Sequence, residues 1–265
     1  MRALLSSISF ILLLSSAANA PLTANGTLRN LGNHAFSTGE YLKYRIHYGI
    51  INAGVAELKV KGVVKRNNRP VYHMVATGRS VGMAEWFFKT RDRYESFIDT
   101  ESIMPWEFIR DVDEGGYIIK RHLIFDHYDN TAKDLEKSAV REYDIEPYAQ
   151  DMLSAFYYAR CLETNNLKVG DELPISMFLD HEDFNFKLRY LGTEKLESKF
   201  GQIKCKKFIP VVQSGRVFKD QEGLTLWVSD DEGKVPIRLE AELAVGSVKM
   251  DLIEYENLRH DITFK

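Results

Sequence analysis

Apolar and polar residues alternate along most of this chain, and this two-residue period restricts its fold more than any other feature. In residues 41–48 (YLKYRIHY), Leu42, Tyr44 and the later even positions are apolar or aromatic, while most of the residues between them are basic. Successive side chains of a strand point to opposite faces, so this pattern predicts a half-buried β-strand. We predict strands at 41–48, 56–61, 71–77, 91–98, 106–112, 117–125, 138–145, 173–179, 184–191, 194–199, 203–212, 224–229, 235–243 and 248–255.

One segment has the helical period instead. Within residues 148–162, the apolar side chains of Met152, Ala155, Phe156 and Ala159 recur at i, i+3, i+4 and i+7. Short strands with turn-rich links are typical of an antiparallel sandwich, a barrel or a strongly curved sheet. We therefore expect a mainly β protein, a large antiparallel curved sheet or half-barrel with one central helix packed on it.

The N-terminal residues resemble an export signal. Arg2 precedes an apolar run from Leu4 to Leu14, and small residues follow it. This order predicts a secretory signal peptide over residues 1–20, cleaved after Ala18 or Ala20, rather than a buried helix or a membrane anchor. We then expect a flexible leader at 21–35, one β-rich domain at 36–258 and a C-terminal tail at 259–265. No other segment is long and apolar enough to predict a transmembrane span, so the mature chain is expected in the periplasm or outside the cell.

Charge and motifs leave the chemistry open. The formal net charge is −3, which does not predict the concentrated basic face of a nucleic-acid-binding protein. The seven histidines show no recognised ligand spacing, and there is no G-x-S-x-G or phosphate-binding loop. The sequence thus predicts no catalytic residue, metal or cofactor and favours a non-enzyme. An enzymatic site would need polar groups that converge at a cleft mouth, with His181 and Asp183 as candidates.

Two cysteines, Cys161 and Cys205, allow one disulfide in an oxidising compartment. Sequence separation does not establish pairing, because a bridge needs Cα atoms within about 7 Å. Two unpaired thiols remain the alternative.

Clustered aromatic residues are the remaining candidates for a site. Met83, Trp86 and Phe87 lie in a short segment that breaks the alternation, and Phe156 and Tyr157 lie on the predicted helix. They could simply fill the core. Alternatively, helix and loop could cover one face of a curved sheet and leave an apolar cleft for an acyl chain.

Several ordered motifs carry a resemblance to a known family. They are FSTGEYLKY at 36–44, DRYES at 92–96, DMLSAFYY at 151–158, LWVSDD at 226–231, VPIR at 235–238 and GSV at 246–248. Together they resemble the bacterial exported family called domain of unknown function 3108, over about residues 36–256. The resemblance implies an envelope protein without an assigned activity or catalytic residues. The late Trp, Asp and Pro-x-Arg pattern is also similar to that of periplasmic lipoprotein carriers, which fold as open half-barrels around a helix.

We therefore expect a non-catalytic envelope protein that binds a lipid or an acylated envelope component. The alternatives are a structural or protein-interaction module of the envelope and an enzyme that modifies envelope glycans or lipids.

Overall fold

Antiparallel pairing joins the strands of this chain into one continuous sheet. The computed structural model describes residues 27–136, 140–212 and 223–264, and fourteen strands lie in these ranges. They are β1 Tyr41–Tyr48, β2 Ile51–Arg66, β3 Arg69–Ser80, β4 Thr90–Asp99, β5 Pro105–Glu114, β6 Tyr117–Asp126, β7 Thr131–Asp134, β8 Arg141–Asp144, β9 Glu172–Leu179, β10 Glu182–Ser198, β11 Gly201–Val212, β12 Leu224–Ser229, β13 Pro236–Glu242 and β14 Ser247–Glu256. Two helices are α1 Met83–Phe87 and α2 Met152–Cys161.

The strand order explains how a single sheet can surround a helix. Strands β1 to β8 pair in sequence, β9 to β14 pair in sequence, and β1 pairs with β14. The two edges are therefore β8 and β9, which are neighbours along the chain. The connection between them, residues 145–171, contains α2 and must run from one edge to the other. The sheet is curved and unclosed, so the predicted fold class is confirmed.

The two edges approach each other through side chains. The ring of Phe178 on β9 lies 6.3 Å from that of Phe125 on β6 and 5.8 Å from that of Tyr143 on β8. His181 stacks on Tyr143 at 4.7 Å, and its Nε2 lies 2.7 Å from the Asp134 carboxylate. Aromatic packing thus holds the edges together in place of a strand ladder.

The predicted alternation is correct in the first half of β1 and changes in its second half. Leu42 and Tyr44 are fully buried, as expected. Past a register shift against β2 between Ile46 and His47, His47 is buried and Tyr48 is exposed. The ring nitrogens of His47 lie 2.7 Å from the Gly49 carbonyl oxygen and 2.8 Å from the Asp251 carboxylate, so the buried ring is hydrogen-bonded.

Helix α2 begins at a buried cap. The Asp151 carboxylate accepts hydrogen bonds from the Leu153 and Ser154 amides at 2.7 Å, and the Ser154 hydroxyl accepts one from the Asp151 amide. The Ser96 hydroxyl of β4 donates to the same carboxylate at 2.6 Å. Burial raises the pKa of Asp151 to about 6. The cap fixes the start of α2 against the sheet.

The other end of α2 is fixed by a buried ion pair. The Arg160 guanidinium donates to both carboxylate oxygens of Glu40, at 2.6 and 2.9 Å. It also donates to the backbone carbonyls of Gly233 and Ala35. Burial opposes the charge on Arg160, but the adjacent carboxylate outweighs it and raises the pKa of the guanidinium. One side chain thus links α2 to the segment before β1 and to the β12–β13 turn.

Residues on both sides of the predicted domain, 36–258, contact it. Leu31 donates its amide to the Glu101 carbonyl at 2.9 Å, and Ala35 is buried. At the other end, Ile262 is buried in the core. Residues 27–35 of the predicted leader and most of the predicted tail therefore pack on the domain, because each contains apolar residues that the core accepts. The predicted signal peptide and residues 21–26 lie outside the described residues.

Candidate functional site

A large apolar cavity lies between α2 and the inner face of the second half of the sheet. Its volume is about 460 Å³, within the range of roughly 300–1,000 Å³ found for small-molecule sites. Helix α2 contributes Met152, Ala155, Phe156 and Ala159. The strands contribute Leu173, Ile175, Met177, Phe186, Leu188, Phe208, Pro210, Leu224, Leu226, Val228, Pro236 and Leu239.

The lining follows directly from the two sequence periods. The helical residues are the same i, i+3, i+4, i+7 set that the sequence predicts as an apolar face. On the strands, lining residues recur at every second position, as in 173, 175 and 177 of β9 and 224, 226 and 228 of β12. Both patterns therefore point their apolar side chains into the same space.

The cavity is not filled by its own side chains. Several lining residues keep part of their surface accessible, among them Leu173, Phe186, Leu226 and Leu239. Apolar surface gains about 25 cal/mol per Å² when it leaves water. Burial of this accessible lining by an apolar ligand would therefore favour binding.

The cavity has one polar end. Arg160 and Thr164, near the end of α2, and Lys234, in the β12–β13 turn, also line it. The Thr164 side chain is buried, and its hydroxyl has no hydrogen-bond partner among the residues that the structure describes. Burial lowers the pKa of Lys234. The polar groups are confined to one end, so the cavity has the layout expected for an amphipathic ligand.

Of the five predicted site residues, Phe156 lines the cavity. Tyr157 does not line it, is fully buried, and packs its ring 4.8 Å from that of Phe36. Met83, Trp86 and Phe87 lie on α1, which the cavity lining does not include. They are exposed instead, Trp86 at 92% and Phe87 at 88%.

The exposed aromatic residues belong to a larger apolar rim. Antiparallel pairing brings turn 49–50, segment 81–89, turn 115–116 and turn 243–246 to the same end of the strands. Each carries or adjoins an exposed apolar side chain. The residues are Ile50, Met83, Trp86, Phe87, Phe88, Tyr117, Ile118, Leu243 and Val245, which we call the apolar rim.

Neighbouring parts of the rim touch each other. The Phe88 ring lies over Gly115 in the β5–β6 turn, where a Cβ would come within 2.9 Å of it. The Tyr48 hydroxyl donates to the Val245 carbonyl at 2.8 Å. The rim is therefore built from several hairpins rather than from one loop.

Both cysteines are free thiols in the structure. Burial raises the pKa of Cys161 to about 11 and that of Cys205 to about 12. Thiols protonated at neutral pH are poor nucleophiles and poor metal ligands. The pairing considered from the sequence is absent from the structure, and burial favours the protonated form of both thiols at neutral pH.

The candidate polar residues for an enzyme do not meet at the cavity. His181 is engaged by Asp134, Asp183 accepts a hydrogen bond from the Glu146 amide at 3.2 Å, and neither lines the cavity. Within residues 27–136, 140–212 and 223–264, no three His, Cys, Asp or Glu side chains are grouped to hold a metal ion. Neither helix of the described chain is long and apolar enough to cross a bilayer.

Residues 43–253, most of the length of the chain, match a family model described as a protein of unknown function, DUF3108. No curated protein sequence matches it.

A solved structure shows the same type of fold. A beta-barrel-like protein of the domain of unknown function DUF1849 from Brucella abortus is similar with a TM-score of 0.56 and 10% identity, over 86% of this chain and 100% of that one. A candidate lipoprotein from Parabacteroides distasonis gives a TM-score of 0.35 and 11% identity, over 87% of this chain and 100% of its own. At these identities the likeness concerns the fold alone. The family model, in contrast, covers the sheet and α2 together, and the chain belongs to the DUF3108 family of proteins of unknown function.

Proposed function

We propose that this protein is exported to the cell envelope and binds a lipid-like ligand there without catalysing a reaction. The observation that carries the proposal is the cavity of about 460 Å³, whose lining is apolar except at one end. The N-terminal export pattern supports the compartment. An envelope is rich in acyl chains, so an exported protein with an apolar cavity would meet suitable ligands there.

The proposal is tested by native mass spectrometry of the mature protein purified from its own envelope fraction. We expect a mass that exceeds the apo mass by one lipid, and the lipid should be recovered by solvent extraction. After delipidation, titration with long-chain amphiphiles should restore a one-to-one complex. A clean apo mass together with no uptake on titration would contradict the proposal.

A second candidate function is contact with a membrane surface through the apolar rim. Trp86 and Phe87 are almost fully exposed at the rim, and the exposed, basic Lys89 follows them. Tryptophan favours the boundary between water and hydrocarbon, and large exposed apolar patches mark interaction sites. Side chains that protrude from separate hairpins can enter a fluid bilayer together. This form of the interaction-module hypothesis is compatible with ligand binding.

Trp86 offers a direct readout of this contact. Trp106 and Trp227 are buried at 2% and 7% exposure, so the exposed indole is that of Trp86. We expect the emission of the wild-type protein to shift to shorter wavelength when vesicles of phosphatidylethanolamine and phosphatidylglycerol are added. The double variant W86S/F87S should lose both the shift and co-sedimentation with vesicles.

The matched control is V63S/V64S. These two exposed valines lie toward the opposite end of β2, away from the rim. Their replacement should leave co-sedimentation unchanged. Equal vesicle binding by wild type and W86S/F87S would rule out the rim as the contact surface.

A further inference from the structure

Three side chains form the polar end of the cavity, and they differ in how far their polar groups already have partners. Arg160, Thr164 and Lys234 line it, while the other lining residues in the described part of the chain are apolar. A side chain without a charge or hydrogen-bond partner can bind a ligand, so these partners determine which head group the cavity accepts.

The charge of Arg160 is already paired with that of Glu40. Its Nη1 and Nη2 donate to the two carboxylate oxygens of Glu40, at 2.6 and 2.9 Å, and its Nε donates to the Gly233 carbonyl at 3.0 Å. Both side chains are almost completely buried, at 2% and 0% exposure. The pair is therefore neutral as a unit and already satisfied, and it forms part of the wall.

Lys234 is different. It is half-buried, and no carboxylate within the described ranges comes into ion-pair distance of its ammonium group. Burial lowers the pKa of Lys234, while the acidic group that most opposes this effect is Glu163. Glu163 is exposed to solvent and does not line the cavity, so its charge is screened by water. Among the described residues, the cavity therefore faces a cation that lacks a counter-charge on its own side.

Thr164 supplies a second, independent sign of a missing partner. Its side chain is 3% exposed, and its hydroxyl has no hydrogen-bond partner in the part of the chain that the structure describes. Buried hydroxyl groups are nearly always satisfied, because leaving one unpaired costs free energy. A ligand head group at this end of the cavity would accept the hydrogen bond.

We propose that the ligand is a single-chain amphiphile with an anionic head group, bound with its head between Lys234 and Thr164 and its chain along α2. This inference rests on the proposed function and adds the chemical class of the ligand. An anion would compensate the charge of Lys234 and accept the hydrogen bond of Thr164 at once. The last turn of α2 carries about half a negative charge from its carbonyl groups, which is less than the full charge of one ammonium group.

The test compares single-chain amphiphiles with anionic and with neutral head groups. Delipidated protein is titrated with hexadecanoate, with its neutral methyl ester and with hexadecanol, and with lysophosphatidate as the phosphate counterpart. We expect the wild type to bind hexadecanoate at least about tenfold more tightly than the methyl ester, since a hydrogen bond to a charged group is strong in a buried site. The order of hexadecanoate and lysophosphatidate then distinguishes a carboxylate from a phosphate ligand.

Variants connect the preference to the two residues. In K234Q the preference for the anion should disappear, while the affinity for the methyl ester stays within about twofold. In T164V the affinity for hexadecanoate should fall several-fold although thermal stability does not decrease, because valine removes an unpaired hydroxyl. The matched control is E163Q, which removes the nearby exposed charge and should leave the preference intact or increase it.

The two proposals fail in different ways. If the wild type binds all four compounds equally, the anionic head group is wrong. If K234Q keeps the preference, the placement of the head group beside Lys234 is wrong. In both cases the apolar binding function stands. If the wild type binds none of them, the proposed function itself is contradicted.

Discussion

Replacing Arg160 with methionine is expected to lower the free energy of unfolding by about 3–5 kcal/mol. The reason is the isolated charge that remains: Glu40 is fully buried and would lose both hydrogen bonds to the guanidinium. The carbonyls of Gly233 and Ala35 would lose a donor as well. Typical domains have a total stability of about 5–15 kcal/mol, so the loss would be visible as a large shift of the denaturation midpoint.

Equilibrium unfolding in guanidinium chloride measures this effect, and the double variant R160M/E40Q is its control. Without the carboxylate there is no stranded charge, so the double variant should be more stable than R160M alone. A loss below about 1 kcal/mol in R160M would mean that water reaches the pair and that it does not fix α2.

The sheet was predictable from the sequence because its signal is local. Alternation over a few residues is enough to identify a strand, and Leu42 and Tyr44 are buried as expected. The errors occur where geometry changes within a strand. Gly192 marks a bulge with φ of 111° inside β10, where the alternation predicts two separate strands, 184–191 and 194–199. The four-residue strand β7 is too short to show a period.

The site was predictable only in part. The helical face has a local sequence signal, whereas the rest of the site depends on contacts between residues distant in sequence. The helical face of Met152 and Phe156 was evident from its spacing, and these residues line the cavity. Trp86 and Phe87 were equally conspicuous, but pairing of β3 with β4 carries α1 to the apolar rim. A cluster of aromatic residues indicates that these side chains make an apolar contact, but it does not indicate what they contact. Lys234 and Thr164 belong to no motif, and the fold alone brings them to one end of the cavity.

Replacing Ala159 with tryptophan is expected to abolish ligand binding. Ala159 lies on the cavity face of α2, and an indole at this position would occupy space that an acyl chain needs. We expect the affinity for a long-chain amphiphile to fall at least about a hundredfold, which corresponds to roughly 2.7 kcal/mol. Stability should change little, because the new side chain enters an existing cavity instead of a filled core.

The control for A159W is V169W, which adds the same indole at an exposed position outside the cavity lining. Isothermal titration with hexadecanoate should give wild-type affinity for V169W and no measurable heat for A159W, while both variants unfold near the wild-type temperature. F156A tests the same cavity in the other direction, since a smaller side chain leaves more room and should favour bulkier chains. Wild-type affinity in a folded A159W would place the ligand elsewhere on the protein. Loss of binding in A159W alone would instead show that the space between α2 and strands β9–β13 is where the chain is held.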